Sequence, residues 1–178
     1  NGKIAMKFEE DTADYRLINA RICSEDDDVM LVTNSGRAIR FPTTEVRVFN
    51  SRASVGVRGI RLSGKDSVVS MSVIRHFDAT PSDRAAYLKM RRAQEGVLDE
   101  PEADDDEMAV PAGELSLERF AEMSAAEDLI LTITAGGSGK LSSSHDYPVR
   151  GRGGQGVKAM AGRNGALIAC FPVERSDQ

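Results

Sequence analysis

Basic residues that recur beside glycines are the side chains in this sequence best suited to chemistry. The pattern of arginine, three residues, glycine, one residue and a second basic residue occurs at 52–58 and again at 152–158, 100 residues later. Guanidinium and ammonium groups neutralise phosphate, and glycine lets a backbone N–H come close to a phosphate oxygen. We therefore predict an anion-binding surface whose main cations are Arg52, Arg58, Arg152 and Lys158.

A repeated cationic surface fits a polyanion such as double-stranded DNA. DNA carries about one negative charge per 1.7 Å of helix axis, so a protein that bends it needs cations spaced along a rim. No aromatic residue lies within the two repeated segments. We therefore expect contacts to the phosphate backbone and bending of the duplex, rather than base stacking or base readout. The other residues expected to bind DNA are Arg150, Arg37, Arg40, Arg47, Arg61 and Lys140, with Gly56, Gly153, Gly154 and Gly156 allowing close backbone approach to phosphate.

The net charge of −5 argues against a nucleic-acid partner only when it is averaged over the chain. Residues 76–127 contain 14 acidic and 5 basic residues, whereas the rest of the chain contains 14 acidic and 18 basic residues. The sequence is therefore a basic body with an acidic insert, and the DNA-binding surface is expected in the body.

The remaining reactive residue types do not form a catalytic or metal-binding pattern. His76 and His145 are single and distant from each other. The acidic runs at 25–28 and 104–106 lack the spacing and the closing glutamate of an EF-hand loop. The glycine-rich run at 151–156 lacks the Gly-Lys-Ser/Thr ending of a nucleotide-binding loop. We expect no cofactor, no metal and no catalytic residue in this chain.

The cysteines and the apolar runs indicate the cellular setting. Cys23 and Cys170 lie far apart in apolar stretches, so we expect buried, reduced thiols and a cytoplasmic protein. No run approaches the roughly 18 apolar residues of a membrane span, so no membrane partner is expected. The chain has no starting methionine and no signal peptide, and we expect an internal segment of a longer protein.

An internal repeat predicts an all-β fold. Residues 28–36 and 128–137 both run from an acidic residue through an apolar strand to threonine and a turn glycine, and residues 2–8 resemble 56–62. Strands are predicted at 29–32, 38–41, 46–49 and 68–74, with a hairpin turn at 34–36. Four short strands in a period of about 50 residues are typical of propeller blades. A single irregular β-barrel is the alternative.

These units divide the chain into two blades and an insert. We predict the end of a preceding blade at 1–23, complete blades at 24–75 and 126–175, and the start of a following blade at 176–178. The insert at 76–125 is expected to form two short helices, at 81–94 with Thr80 or Ser82 as its cap, and at 115–124. The acidic residues between them predict a mobile loop, which either weakens DNA binding as a tethered competitor or is an inert linker.

Three segments, 29–41, 55–62 and 151–160, resemble blades of the C-terminal domain family of the bacterial DNA gyrase A subunit. The resemblance covers residues 1–75 and 126–178, and it is best to the fourth and fifth blades. It implies a β-pinwheel, a propeller-like disc of six blades in which neighbouring blades exchange a strand. Residues 150–156 resemble a degenerate copy of the family's Gln-Arg-Arg-Gly-Gly-Lys-Gly box, with Gly151 and Gln155 in place of arginine and lysine.

The resemblance also implies a function. The family wraps double-stranded DNA and so supports the ATP-dependent introduction of negative supercoils by the whole type II topoisomerase. The implied protein partners are the remaining gyrase A domains and the gyrase B protein. The catalytic tyrosine of the enzyme belongs to another domain, so Tyr15, Tyr87 and Tyr147 are expected to have no catalytic role. The alternatives are the equivalent domain of topoisomerase IV and a propeller that serves as a protein-interaction scaffold.

Overall fold

Seven strands and two helices form the part of the chain that the computed structural model describes, which is residues 2–8, 15–96, 111–160 and 165–174. The strands are β1 (Asp27–Thr33), β2 (Arg37–Pro42), β3 (Val68–Arg75), β4 (Leu129–Thr134), β5 (Gly139–Ser143), β6 (Val157–Lys158) and β7 (Leu167–Val173), and the helices are α1 (Pro81–Glu95) and α2 (Leu117–Ala125). The mainly antiparallel β architecture with a small helical insert confirms the predicted fold class.

The repeat found in the sequence is reproduced in the geometry of the hairpins. β1 turns into β2, and β4 into β5, through Gly36 and Gly137, which have φ angles of 89° and 80°. Their amides donate to the carbonyls of Thr33 and Thr134 at 3.1 and 3.0 Å. Side chains with a Cβ rarely adopt a positive φ, which is why glycine stands at both turns. In each unit a third strand pairs with the first strand of the hairpin, and a register shift occurs beside the same threonine.

Neighbouring units exchange a strand. The first sheet has the order β3-β1-β2-β6, and its last strand, β6, comes from the second unit. The second sheet has the order β5-β4-β7. Residues 24–75 therefore hold three of the four strands of their sheet, and residues 157–158 complete it.

The strand predicted at 46–49 is wrong. A 3-10 turn, Thr43–Glu45, follows β2, and residues 46–49 form no strand. The edge of β2 is taken instead by the second unit, through β6 and through a parallel bridge between Arg40 and Val149. The apolar pattern of 46–49 is not buried, since Val48 is 89% exposed.

The two units share a hydrophobic core, and a smaller cluster of Ile39, Phe41 and Ile60 lies within the first unit. Ser70 and Ser72 on β3 donate to the carbonyl of Cys170 on β7, Ser72 at 3.2 Å, so the two sheets lie against each other at these strands. Full burial of one large aliphatic side chain contributes about 1.5–3 kcal/mol, so the shared core holds the units together. Its buried members are Met30, Val32, Ala38, Ile74, Ile130, Tyr147, Val157, Ala159, Leu167 and Cys170.

Both helices predicted in the insert are present, and each begins at a capping hydroxyl. The Thr80 side chain accepts the amide of Asp83 at 3.1 Å, and Pro81 occupies the first turn of α1. Ser116 caps α2 in the same way, through the amide of Arg119. Thr80, rather than Ser82, is therefore the cap of α1. The predicted acidic loop falls mainly on residues 97–110, which lie outside the described residues.

The helices pack on the second unit around a buried histidine. The ring of Tyr87 on α1 meets the His145 ring edge-on at 4.9 Å between centroids, and His145 Nε2 donates to the carbonyl of Met123 on α2 at 2.9 Å. All three side chains are at most 2% exposed. Burial lowers the pKa of His145, so the neutral ring is favoured at this junction. The insert is thereby anchored to the blade that follows it.

The structure also bears on the two cysteines, which were expected to be buried, and on the expectation of no membrane span. Cys170 is buried, and burial raises the pKa of its thiol, but Cys23 is exposed, so the expectation of two buried thiols is wrong for Cys23. Among the described helices, neither has the length and apolar character needed to cross a bilayer.

Candidate nucleic-acid interface

Arg37 on β2 and Lys158 on β6 are direct cross-strand partners. Directly opposed residues of an antiparallel pair lie on the same face of the sheet, and like charges in this position are destabilising. One cation comes from each unit, so the exchange of β6 builds the pair. A phosphate at this place could contact cations of both units.

Lys140 on β5 extends this cationic pair. Its side chain is exposed, and its Nζ donates to the carbonyl of Ala159 at 3.4 Å, next to Lys158 in the chain. Cations of three strands, β2, β5 and β6, therefore lie close together where the two sheets meet. We call Arg37, Lys140 and Lys158 the junction cations.

Most of the other predicted DNA-binding residues lie on the surface. The guanidinium of Arg47 stacks over the ring of Phe49, 4.5 Å from its centroid. The exposed arginines of the set are Arg47, Arg52, Arg58, Arg61 and Arg150.

The prediction that Arg40 binds DNA is wrong, because its side chain is buried. Arg40 is 3% exposed, and its Nε donates to the buried carboxylate of Asp28 at 2.6 Å. Nη1 and Nη2 donate to the carbonyls of Ser144 and Arg75 at 2.9 and 2.8 Å. Arg40 thus joins the first hairpin to β3 and to the second unit. The sequence signal for this buried ion pair was Asp28, an acidic residue 12 positions before Arg40 and on the opposite strand of the hairpin.

Arg152 is half-buried, and its side chain is engaged in the protein. Nε donates to the carbonyl of Glu45 at 3.1 Å, and Nη1 donates to the carbonyl of Arg58. Sequence reasoning placed Arg152 among the main DNA contacts, whereas the structure places it between two segments of the first unit.

Two of the glycines expected to approach phosphate are used inside the protein. The amide of Gly153 donates to the carbonyl of Gly59 at 2.7 Å. Gly156 has a φ of 71°, and a Cβ there would stand 2.3 Å from the carbonyl oxygen of Ala38. Gly153 and Gly156 thus permit close packing of the second unit on the first, and the phosphate role predicted for them stays a prediction. Gly154 is exposed, whereas Gly56 is half-buried and a Cβ there would meet the Met6 side chain.

A second set of polar contacts, which sequence reasoning missed, connects the units on the side of β3. The amide and guanidinium of Arg75 bind the two carboxylate oxygens of Asp128 at 2.9 and 3.1 Å. Arg75 Nη1 also donates to the carbonyl of Ala125 at the end of α2. These contacts fix the start of the second unit, so the relative position of the two blades is set by polar bonds as well as by the core.

Comparison with known proteins agrees with this architecture. The family described as DNA gyrase C-terminal domain, beta-propeller, matches residues 27–75 and 128–174, more than half of the chain. The DNA gyrase A protein of Granulibacter bethesdensis is 47% identical over 191 residues, covering 99% of this chain and 20% of that protein. The DNA gyrase A protein of Rickettsia bellii is 39% identical over 183 residues, covering all of this chain and 19% of that protein. The chain thus spans about one fifth of these relatives.

Solved structures share the fold at low sequence identity. The C-terminal domain of DNA topoisomerase IV matches with a TM-score of 0.60 and 15% identity, over 97% of this chain and 38% of that one. The DNA gyrase A C-terminal domain matches with a TM-score of 0.50 and 18% identity, over 88% of this chain and 34% of that one. These likenesses show the fold, and the family match shows that the chain belongs to the DNA gyrase C-terminal domain family of β-propellers.

Proposed function

We propose that this chain binds the phosphate backbone of double-stranded DNA and bends the duplex around its blades. The observation that carries the proposal is the pairing of Arg37 with Lys158 across β2 and β6, with Lys140 beside them. Because Arg37 and Lys158 come from two repeat units, a duplex that crosses the junction between the units would meet cations of both. This proposal excludes Arg40 and treats the exposed arginines as additional contacts.

The energetics require several contacts at once. Bending 20–30 base pairs of DNA by 40–90° costs about 1–6 kcal/mol. Charge-assisted contacts to phosphate release condensed counterions, so their number sets the salt dependence of binding, with a slope of about −0.9 for each phosphate neutralised. The junction cations together with the exposed arginines supply enough positions for such a path.

In the whole protein, this segment would act as part of the gyrase A chain. Wrapped DNA would be presented to the remaining gyrase A domains and the gyrase B protein, and the whole enzyme would introduce negative supercoils at the expense of ATP. A cytoplasmic location, and a fragment that needs no cofactor of its own, belong to the same proposal. The equivalent domain of topoisomerase IV is less favoured, because the sequence relatives described above are gyrase A proteins.

A salt series tests the proposal directly. DNA affinity would be measured for the full-length protein and for a variant with Arg37, Lys140 and Lys158 changed to alanine. We expect steep salt dependence in the parent and a slope flattened by about 0.9 for each lost phosphate contact. Lys89→Ala, which removes an exposed cation from α1, is the control and should leave the slope unchanged.

Absence of binding at low salt by a folded protein would overturn the proposal. Such a result would favour a protein-interaction scaffold, the alternative of a different functional class. An unchanged slope in the triple variant would mean that the junction cations do not face DNA.

A further inference from the structure

We propose that Arg152 is a staple, meaning a residue whose hydrogen bonds hold two neighbouring blades together. These bonds set the angle between the blades, and that angle sets the curve that bound DNA must follow. This inference rests on the proposed function for its effect on DNA, but its contacts within the protein stand independently. Arg152 is thus a positioning residue rather than a direct contact to phosphate.

Arg152 contacts two segments of the first unit, at residues 107 and 94 positions away from it in sequence. Its amide donates to the Glu45 carboxylate at 2.6 Å, its Nε donates to the Glu45 carbonyl at 3.1 Å, and its Nη1 donates to the carbonyl of Arg58. Glu45 ends the turn after β2, and Arg58 lies on the segment leading towards β3. One residue of the second blade therefore holds both segments of the first in a single geometry.

The planar guanidinium is needed for this arrangement. Nε and Nη1 point in fixed directions from one plane and reach two carbonyls at once, whereas a lysine ammonium is a single point on a flexible stem. Two of the donors that a phosphate contact would use are already directed at the protein.

The same connection occurs between the first unit and residues 2–8. The amide of Arg61 donates to the carbonyl of Gly154 at 2.8 Å, and the amide of Lys7 donates to the carbonyl of Ser54 at 3.1 Å. Under the repeat, Lys7 corresponds to Arg61 and Ser54 to Gly154. The contact between units is thus a repeated feature of the fold.

Arg152→Lys separates a staple from a phosphate contact. In the full-length protein, bending would be followed by energy transfer between dyes at the two ends of a duplex, at protein concentrations that saturate the DNA. A phosphate contact keeps its charge in Arg152→Lys, and energy transfer would stay at the parent level. A staple predicts that Arg152→Lys loses as much of the energy transfer as Arg152→Ala. Arg21→Lys, which changes an exposed arginine outside the predicted DNA-binding set in the same way, is the matched control and should keep it.

Glu45→Ala gives a second test, because a staple and a purely electrostatic role predict different results for this variant. Removing an acidic residue near bound DNA should preserve or strengthen binding if only charge matters. The staple predicts reduced bending instead, because the amide of Arg152 loses its carboxylate acceptor. Glu118→Ala, an exposed acidic residue on α2, controls for the change in charge and should have no effect.

The outcomes separate this inference from the proposed function. Parent-level bending in both Arg152→Lys and Glu45→Ala would overturn the staple while leaving DNA binding intact. If the parent protein itself does not bend DNA, the proposed function fails, and the staple is decided by thermal unfolding. In that case Arg152→Lys and Glu45→Ala must unfold at lower temperatures than their control variants. Equal unfolding temperatures would overturn the staple.

Discussion

His76 Nδ1 lies 2.7 Å from Oδ1 of Asp28, a carboxylate that is fully buried and also bound to Arg40. On its other side, His76 Nε2 lies 3.2 Å from the carboxylate of Asp78. The imidazole therefore bridges the first blade to the segment that enters the insert. Burial lowers the pKa of His76, but the hydrogen bonds and charges of Asp28 and Asp78 outweigh burial and raise it.

The raised pKa of His76 predicts a pH-dependent stability. A histidine whose pKa is higher in the folded state contributes stability that is fully present below the unfolded value of about 6.5 and is lost as pH rises through the folded pKa. We expect His76→Gln to be most destabilising in mild acid and least destabilising in alkali, with unfolding followed as a function of pH. A constant difference across this range would mean that the ring acts only through packing or neutral hydrogen bonds.

Arg40→Ala tests the buried ion pair. Removing one partner leaves the Asp28 carboxylate buried without its main cation, which costs about 3–5 kcal/mol in such pairs. We expect a loss of this size in the free energy of unfolding. Adding Asp28→Asn should recover part of it, because the double variant no longer buries a charge. Under conditions where the single variant is folded, its DNA salt slope should equal that of the parent, and a flattened slope would restore Arg40 as a DNA contact.

Gly156→Ala tests the close approach between the two units. A Cβ at this position would meet the Ala38 carbonyl at 2.3 Å, and the φ of 71° is unfavourable for residues other than glycine. A strained backbone of this kind costs about 1–3 kcal/mol, and the contact with Ala38 adds to that cost. Gly151→Ala is the matched control, since a Cβ there meets nothing within 4 Å. Equal unfolding midpoints of the two variants would show that β6 does not depend on this approach.

The parts of the fold that follow from local pattern were predictable from the sequence. The hairpin of β1 and β2 follows from an apolar run ended by threonine and a turn glycine, and the start of α1 follows from Thr80 and Pro81. These features depend on residues close together in the chain. The repeat then extended the same reasoning from the first unit to the second.

The features that sequence reasoning missed depend on contacts between distant residues. Residues 46–49 have the alternation of a strand, but the second unit occupies the edge with which they would pair. Arg40 looks like any surface arginine until the strands bring Asp28 beside it. Arg152 matches the basic pattern of its repeat, yet its partner Glu45 lies 107 residues away. Residue type alone did not show that these arginines are engaged within the protein, because their partners come from the opposite strand of the hairpin and from the neighbouring unit.

The last prediction concerns the acidic segment 97–110. These residues lie outside the described part of the structure, and their sequence contains seven acidic residues and no basic ones. The segment begins two residues after the end of α1, which is anchored on the second blade through His145. A negative segment tethered to a DNA-binding blade competes with phosphate for the same cations. We therefore expect replacement by a neutral linker of equal length to raise DNA affinity at low salt, with the effect shrinking as salt screens the charges. Unchanged affinity at low salt would identify the segment as an inert linker.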